Sequence, residues 1–334
     1  MTGSGPLLAL EEFGLTLSGS DGRVFPVLEG ISFTLGRGET MGIAGESGSG
    51  KSVLALSLMG LLPRAAIREQ RGAVRFDGTD LLGLDDAGFR ALRGRRLAMV
   101  FQEPMTAMNP LMTLYDQVAE GVGVHFPDLG EAEVRQRVRR ALQRAGFPDP
   151  ETFYDSFPHQ LSGGMRQRAM LGMALATDPE LIVADEPTTA LDAALQVQLL
   201  QELRRTVREE GNSLIFISHD LGVIRTVADR LAILYAGFLV EWGPSAAVLE
   251  APLHPYSRAL REAMPRLVRE QRLPRPIPGH LPAPDHKPAG CVFGPRCPKA
   301  RDVCRQMMPS ASRPAEGRLV RCHFPEGASG GGQG

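Results

Sequence analysis

Apolar positions in residues 7–17 (LLALEEFGLTL) and 24–35 (VFPVLEGISFTL) fall in short alternating sets, the period of half-buried β-strands. RGET then turns the chain into TMGIAG (40–45), a short apolar strand that stops at a run of glycines. SVLALSLMGLL (52–62) continues as a helix. Further strands are predicted at GAVRFDG (72–78), LAMVFQ (97–102), LIVAD (181–185), SLIFIS (213–218), RLAILYAG (230–237) and FLVEWG (238–243). Helical periods lie between several of them, among them ALQVQLLQELRRTVREE (194–210), which Gly211 stops. Strands interleaved with helices predict an α/β fold with a largely parallel core sheet.

Two stretches break that rhythm. Over about 103–175 the strand pattern gives way to helical segments, which predicts an inserted helical subdomain within a first domain of residues 1–260. Past residue 260 the chain reads LPRPIPGHLPAPDHKPAG (273–290), too proline-rich for a helix or a central strand and expected to lie extended over the surface. An extension over 261–326 carries all four cysteines, and GASGGGQG (327–334) is expected to be a disordered tail.

Composition narrows the picture less than pattern does. The 334 residues are 43% hydrophobic and 22% charged, with a formal net charge of −1, so there is no global basic field to recruit nucleic acid. The arginine-rich EAEVRQRVRRALQRAG (131–146) carries Val134, Val138 and Leu142 four residues apart, which predicts an amphipathic helix with its arginines on the solvated face. No apolar run approaches the about 20 residues of a membrane span, and the N-terminus lacks the basic start and apolar core of a secretory signal. A cytoplasmic chain is therefore expected, in a compartment that keeps cysteines reduced.

GESGSGKS (45–52) follows a strand and opens a helix, the context in which this motif cradles phosphates. Gly45, Glu46, Ser47, Gly48, Ser49 and Gly50 can turn backbone N–H groups inward, and the helix N-terminus adds partial positive charge. Lys51 is expected on the β- and γ-phosphates and Ser52 on Mg²⁺. LIVADEPT (181–188) ends an apolar strand in two carboxylates: Asp185 to hold Mg²⁺, Glu186 to orient or deprotonate the attacking water. A single carboxylate there would read equally as a solvated charge or a helix cap. His219, ending SLIFISHD, and Gln102, ending LAMVFQ, stand at strand ends of the same kind; Gln102 is suited to sense the metal and the γ-phosphate. LSGGMRQR (161–168) is a second glycine turn leading into a helix, built to hold an anion that the first loop does not.

GESGSGKS, VFQ, LSGGMRQR, LIVADEP, ALD (190–192) and ISHD, in this order and spacing, resemble the ATP-binding subunits of ABC transporters. The resemblance implies a P-loop ATPase with an antiparallel β subdomain beside its core sheet, and two ATPase domains meeting head to tail. Ser162, Gly163 and Gly164 would then close over the ATP held by a partner subunit, with Asp192 at the same seam. It also implies an adenine stacked on an upstream aromatic, for which Phe25 is the nearest candidate, core packing being the alternative reading. FQEPMTAMNP (101–110), YAGFLVEWG (235–243), APLHPYSRALREAMP (251–265) and CVFGPRCPKARDVC (291–304) narrow the likeness to oligopeptide and dipeptide importers, the first (D-type) of their two ATPase subunits. Relatives of that group serve nickel, glutathione or other small solutes. The implied partners are a second, different ATPase subunit, two transmembrane permease subunits and an extracytoplasmic peptide-binding protein, with the chain peripheral on the cytoplasmic face of the cell membrane. A soluble ABC-type ATPase of DNA repair or translation would need long heptad runs or two ATPase domains, and neither pattern is present.

Cys291, Cys297, Cys304 and Cys322 have neither the paired spacing of a zinc ribbon nor a regular ferredoxin run, so spacing leaves zinc, an iron–sulfur cluster and unligated thiols open. The resemblance implies a [4Fe–4S] cluster, with Zn²⁺ as the alternative. Its distance in sequence from every phosphate motif suggests a structural role, and ATP binding at Lys51 is expected to be independent of it.

Overall fold

In the computed structural model, which describes residues 5–19, 21–188, 193–264 and 276–327, strands form where the apolar alternation predicts them. Strands β1 (Leu8–Ser18), β2 (Val24–Leu35) and β3 (Thr40–Ala44) lead to helix α1 (Lys51–Leu58). Strands β4 (Ile67–Phe76) and β5 (Thr79–Asp80) precede α2 (Asp86–Leu92) and β6 (Leu97–Val100). Helices α3 (Pro104–Ala107), α4 (Leu114–His125), α5 (Glu131–Arg144) and α6 (Gly163–Leu175) follow. Then come β7 (Leu181–Asp185), α7 (Ala193–Glu210), β8 (Ser213–Ile217) and α8 (Leu221–Val227). Strands β9 (Arg230–Tyr235) and β10 (Phe238–Pro244), helices α9 (Ser245–Glu250), α10 (Pro255–Glu262) and α11 (Asp302–Gln306), and strand β11 (Leu319–Val320) complete the chain.

These elements fall into two units, one within Met1–Leu35, Met41–Leu82 and Ser218–Gly334, the other within Gly36–Thr40 and Gly83–Ile217. In the first unit the strand order is β5-β4-β1-β2-β10-β9-β3, with β11 on the side of β10. The β1–β2 and β1–β4 pairs are antiparallel, and β3–β9 is parallel. Strand β1 shows how alternation survives an irregular sequence. Leu8 and Leu10 face the core, but the next core residue, Phe13, is three positions on. A bulge with Glu12 in a left-handed conformation (φ 47°) takes up the extra residue and returns Phe13 and Leu15 to the inner face. Strands β9 and β10 form a hairpin whose two turn residues, Ala236 (φ 48°) and Gly237 (φ 86°), both have positive φ, the twist that a two-residue hairpin needs.

The first helix stops earlier than its apolar pattern. It ends at Leu58, because Gly60 adopts a left-handed φ of 60° and donates its N–H to Ser57 O (3.1 Å) while Leu61 donates to Leu56 O (2.9 Å). Those two bonds satisfy the last carbonyls of the helix and end it. Strand β4 runs from Ile67, five residues before the predicted start, because its polar first half (IREQR) gains backbone pairing along β1 that no apolar alternation announces.

The C-terminal extension is woven into the first unit. Strand β11 pairs antiparallel with β10, Glu241 opposite Val320 and Trp242 opposite Leu319. The Glu241 side chain is fully buried (0% exposed) and accepts from Arg318 (2.6 Å) and from the backbone N–H groups of Leu253 and His254 (2.9 Å each). Phe293 packs its edge on Tyr235 and leans on Tyr256, both fully buried. Residues 276–290 form no helix or strand, as their prolines predict.

In the second unit β8, β7 and β6 are parallel, and β7 and β8 are buried along their whole length, which explains their unbroken apolar runs. Helices α4, α5 and α6 enclose a core of Leu114, Val118, Val138, Leu142, Tyr154 and Ala169 with their neighbours. Val138 and Leu142 are buried as predicted, but the arginines of α5 are not all solvated. Arg144 is 8% exposed; it bonds Asp178 and reaches Leu175 O (3.5 Å) at the end of α6. Arg137 bonds Asp178 (2.9 Å) and covers the Phe126 ring, and Arg135 lies over Tyr154. A long guanidinium side chain can lay its stem on apolar surface and put its charge on a helix C-terminus, which a binary reading of the helix face does not foresee.

Replacing Arg144 with Met should therefore lower stability by about 1–3 kcal/mol, through the lost charge-assisted bonds at the end of α6. The same change at exposed Arg140 should stay within about 0.5 kcal/mol. Urea unfolding of the two variants checks this, and equal midpoints would refute the inward role of Arg144.

Candidate functional site

Residues 45–50 leave β3 and enter α1 as a tight loop in the first unit. Gly45 (φ 157°) allows it: an added Cβ would lie 2.3 Å from Leu234 O. Gly50, the cap of α1, has φ 103°, where side-chain-bearing residues are strained. Ser49 is buried, Ser47 and Gly48 are exposed, and Ser52 faces solvent on the first turn of the helix. Lys51 is 5% exposed and donates from Nζ to Gly45 O (2.9 Å) and Glu46 O (3.0 Å), so its ammonium is held across the mouth of the loop. His219 is exposed in the same unit, one residue past Ser218, whose N–H bonds Ile43 O (3.1 Å) two residues before the loop begins. Phe25 is half-buried on β2, paired with Leu17.

The second unit gathers the other phosphate-motif residues at strand and helix ends. Asp185 closes β7 and is 5% exposed. Glu186 follows with φ 45°, a left-handed backbone rare for a side-chain-bearing residue, and its N–H bonds Ile217 O (3.0 Å). Strain of this kind persists only where neighbouring structure enforces it, and here it swings the carboxylate out of the strand line. Gln102 Nε2 lies 3.4 Å from Glu186 Oε2, so the structure brings together two residues 84 positions apart in sequence. Ser162 is the N-cap of α6, its Oγ accepting from Met165 N–H (3.3 Å). Ser162 and Gly163 are exposed and Gly163 opens onto free space, leaving the positive end of a 13-residue helix accessible. Asp192 lies outside the described residues.

All four cysteines, free of disulfides, line one cavity together with Phe293 and His323. Cys291 N–H bonds Cys304 O (2.7 Å), which fastens the two ends of the segment, and Phe324 N–H points at Cys322 Sγ (3.4 Å). Burial raises the Cys291 and Cys297 thiols, and burial with the neighbouring cysteines pushes Cys322 up to about 11. These thiols need a cationic centre to become thiolates. Among the described residues no three His, Cys, Asp or Glu side chains converge as around a single metal ion. A donor set of four thiols round a shared cavity with aromatic walls is of the soft type that iron or zinc takes.

Sequence reasoning missed the residues behind the loop. Glu46 N–H donates to Tyr256 Oη (2.9 Å), and its carboxylate is gripped by Arg296 at 2.8 and 3.1 Å. The distance argument that set the cysteine segment apart from the phosphate motifs does not hold in space, since Arg296 immediately precedes Cys297. No periodicity or motif spacing signals a contact across 250 residues.

Residues 28–189 match the family ABC transporter, and residues 240–304 match the family Oligopeptide/dipeptide transporter, C-terminal region. The dipeptide transport ATP-binding protein DppD of Escherichia coli is 40% identical over 92% of this chain and 93% of that protein. The oligopeptide transport ATP-binding protein AppD of Bacillus subtilis is 40% identical over 90% of this chain and 92% of its own length. Among solved structures, the dimeric ATP-binding cassette MJ0796, bound to ADP and Pi after hydrolysis, superposes with a TM-score of 0.63 at 28% identity, covering 71% of this chain and 98% of the cassette. The cassette cbiO1 from Clostridium perfringens gives 0.62 at 28% identity, over 74% of this chain and 91% of its own. Likeness that runs through both the phosphate loop and the cysteine-bearing extension means that the chain belongs to the ATP-hydrolysing, ATP-binding subunits of ABC transporters, in the group that carries the oligopeptide/dipeptide transporter C-terminal region.

Proposed function

We propose that the chain hydrolyses ATP to drive import of oligopeptides or dipeptides, peripheral on the cytoplasmic face of the membrane. In this reading it pairs with a second, different ATPase subunit beneath two transmembrane permease subunits, which receive peptide from an extracytoplasmic binding protein. The observation that carries it is the union, in one unit, of a phosphate loop with a C-terminal region of the oligopeptide/dipeptide transporter type. The relatives DppD and AppD are a dipeptide and an oligopeptide transport ATP-binding protein.

Each residue has a task in that reaction. Lys51 exchanges the Gly45 and Glu46 carbonyls for the β- and γ-phosphates, and the loop N–H groups from Gly45 to Gly50 surround the phosphate oxygens. Ser52, Asp185 and Gln102 are the residues that would hold Mg²⁺, which would neutralise charge on the phosphates. Glu186, turned outward by its strained backbone, orients the attacking water and draws off its proton. Gln102, 3.4 Å from that carboxylate, links it to the entry of the helical subdomain, and His219 contacts the γ-phosphate. Ser162, Gly163 and Gly164 serve the nucleotide of the partner subunit, presenting free N–H groups and the positive end of α6 to the charge that develops on its γ-phosphate. Cys291, Cys297, Cys304 and Cys322 would hold a [4Fe–4S] cluster, which would supply the positive centre that the raised thiols of Cys291, Cys297 and Cys322 require.

Glu186→Gln keeps the shape and loses the charge on the water. ATP affinity should stay within a few-fold, turnover in the assembled transporter should fall at least about 100-fold, and a nucleotide-bound pair of ATPase subunits should accumulate. Turnover near the parental rate would remove Glu186 from the catalytic role.

Anaerobically purified chain should be brown, with about four irons per chain. Cys297→Ser should bleach it and leave residues past 285 open to proteolysis. Zinc makes the opposite claim, a colourless protein with about one zinc per chain, and metal analysis of protein never exposed to air or chelator decides between them.

A further inference from the structure

Arg296 is almost enclosed, its side chain 6% exposed, and every one of its five N–H donors has an acceptor. One terminal nitrogen donates to Glu46 Oε2 (2.8 Å) and Tyr235 Oη (3.3 Å), the other to Glu46 Oε1 (3.1 Å) and Ile277 O (3.2 Å), and Nε donates to Pro278 O (2.8 Å). Burial opposes the guanidinium charge, and the Glu46 carboxylate and Tyr235 hydroxyl more than offset it. Glu46 is engaged as completely. Beyond the two-pronged grip on its carboxylate, its N–H is held by Tyr256, and its carbonyl accepts from Ser49 N–H (3.1 Å) and from Lys51 Nζ. A continuous chain of bonds therefore runs from the turn that carries Cys297, through Arg296 and Glu46, to the lysine of the phosphate loop. The same proline-rich segment touches the loop once more, where a Cβ added at Gly48 would sit 3.3 Å from Leu281.

Nothing in ATP chemistry needs a carboxylate at position 46; left alone, it would repel the triphosphate. Pinned by a buried guanidinium, it instead fixes the loop backbone before nucleotide arrives and lowers the ordering cost of binding. We propose that Arg296 is a positioning residue for the nucleotide: by gripping Glu46 it preorganises the phosphate loop and Lys51 from the cysteine-bearing turn. The proposal rests on the loop being the ATP site.

Calorimetric titration of the full chain with Mg·ATP tests it, using Arg296→Gln, Glu46→Gln and the double variant. Each single change should weaken ATP binding about tenfold, and the double should be no weaker than either single, because both break the same link. Arg296→Lys, which keeps the charge but not the two-pronged grip, should fall between parent and Arg296→Gln. In the assembled transporter the ATP KM should rise while kcat stays within about twofold. A residue that only buttressed the cysteine turn would lower the melting temperature and leave KM alone, and that result would overturn the proposal. So would effects that multiply in the double variant. Should Arg296→Gln fail to fold, Glu46→Gln alone decides, since its side chain is 27% exposed and its backbone bonds remain; unchanged ATP affinity there is fatal. A parent chain that binds no ATP would instead overturn the nucleotide site itself, and the proposal with it.

Discussion

A carboxylate with no access to water cannot remain ionised without partners, and Glu241 has none of its surface exposed. Arg318 from the extension, with the N–H groups of Leu253 and His254, supplies that partnership. Removing one side of such a buried pair costs on the order of 3–5 kcal/mol, since it strands the other charge. The extension is thus bound to the core strand β10 by electrostatics as well as by the β10–β11 ladder. So attached, the extension brings to the first unit the cysteine cavity, Phe293 under Tyr235 and Tyr256, and the guanidinium behind the phosphate loop.

The two units solve the problem of presenting charge in different ways. In the first, the loop between β3 and α1 is made by glycines whose backbone no other residue fits, and Lys51 waits on two carbonyls of that loop. In the second, charge stands at the ends of buried strands. The backbone of Glu186 is strained, and Gln102 reaches it from just past the end of the neighbouring strand β6. Glycine permissiveness serves the cradle and strain serves the carboxylate. Both keep reactive groups preset, so that little reorganisation is left for the moment of reaction.

Much of this was legible from the chain. Runs of apolar residues at 181–185 and 213–217 can only be strands buried on both faces, and Gly, Lys and Ser at 45–52 have few other physical uses after a strand. The early end of α1 was not read, because the apolar run continues to Leu62 while Gly60 turns left-handed and closes the helix after Leu58. Of the arginines of α5, Arg144 was misread, because a helical wheel sorts residues by polarity, while a guanidinium can be buried if a carboxylate and a helix C-terminus await it.

The sequence by itself determined the elements, the phosphate loop and the strand-end carboxylates, because each depends on residues within one short stretch and on local periods, turns and backbone freedom. Tertiary structure alone decided that four cysteines spread over 32 positions would line one cavity, and that Arg296 would close on Glu46 across 250 residues. Such contacts are set by how strands order themselves in a sheet and by which buried charges must find partners, and neither leaves a periodic mark on the chain.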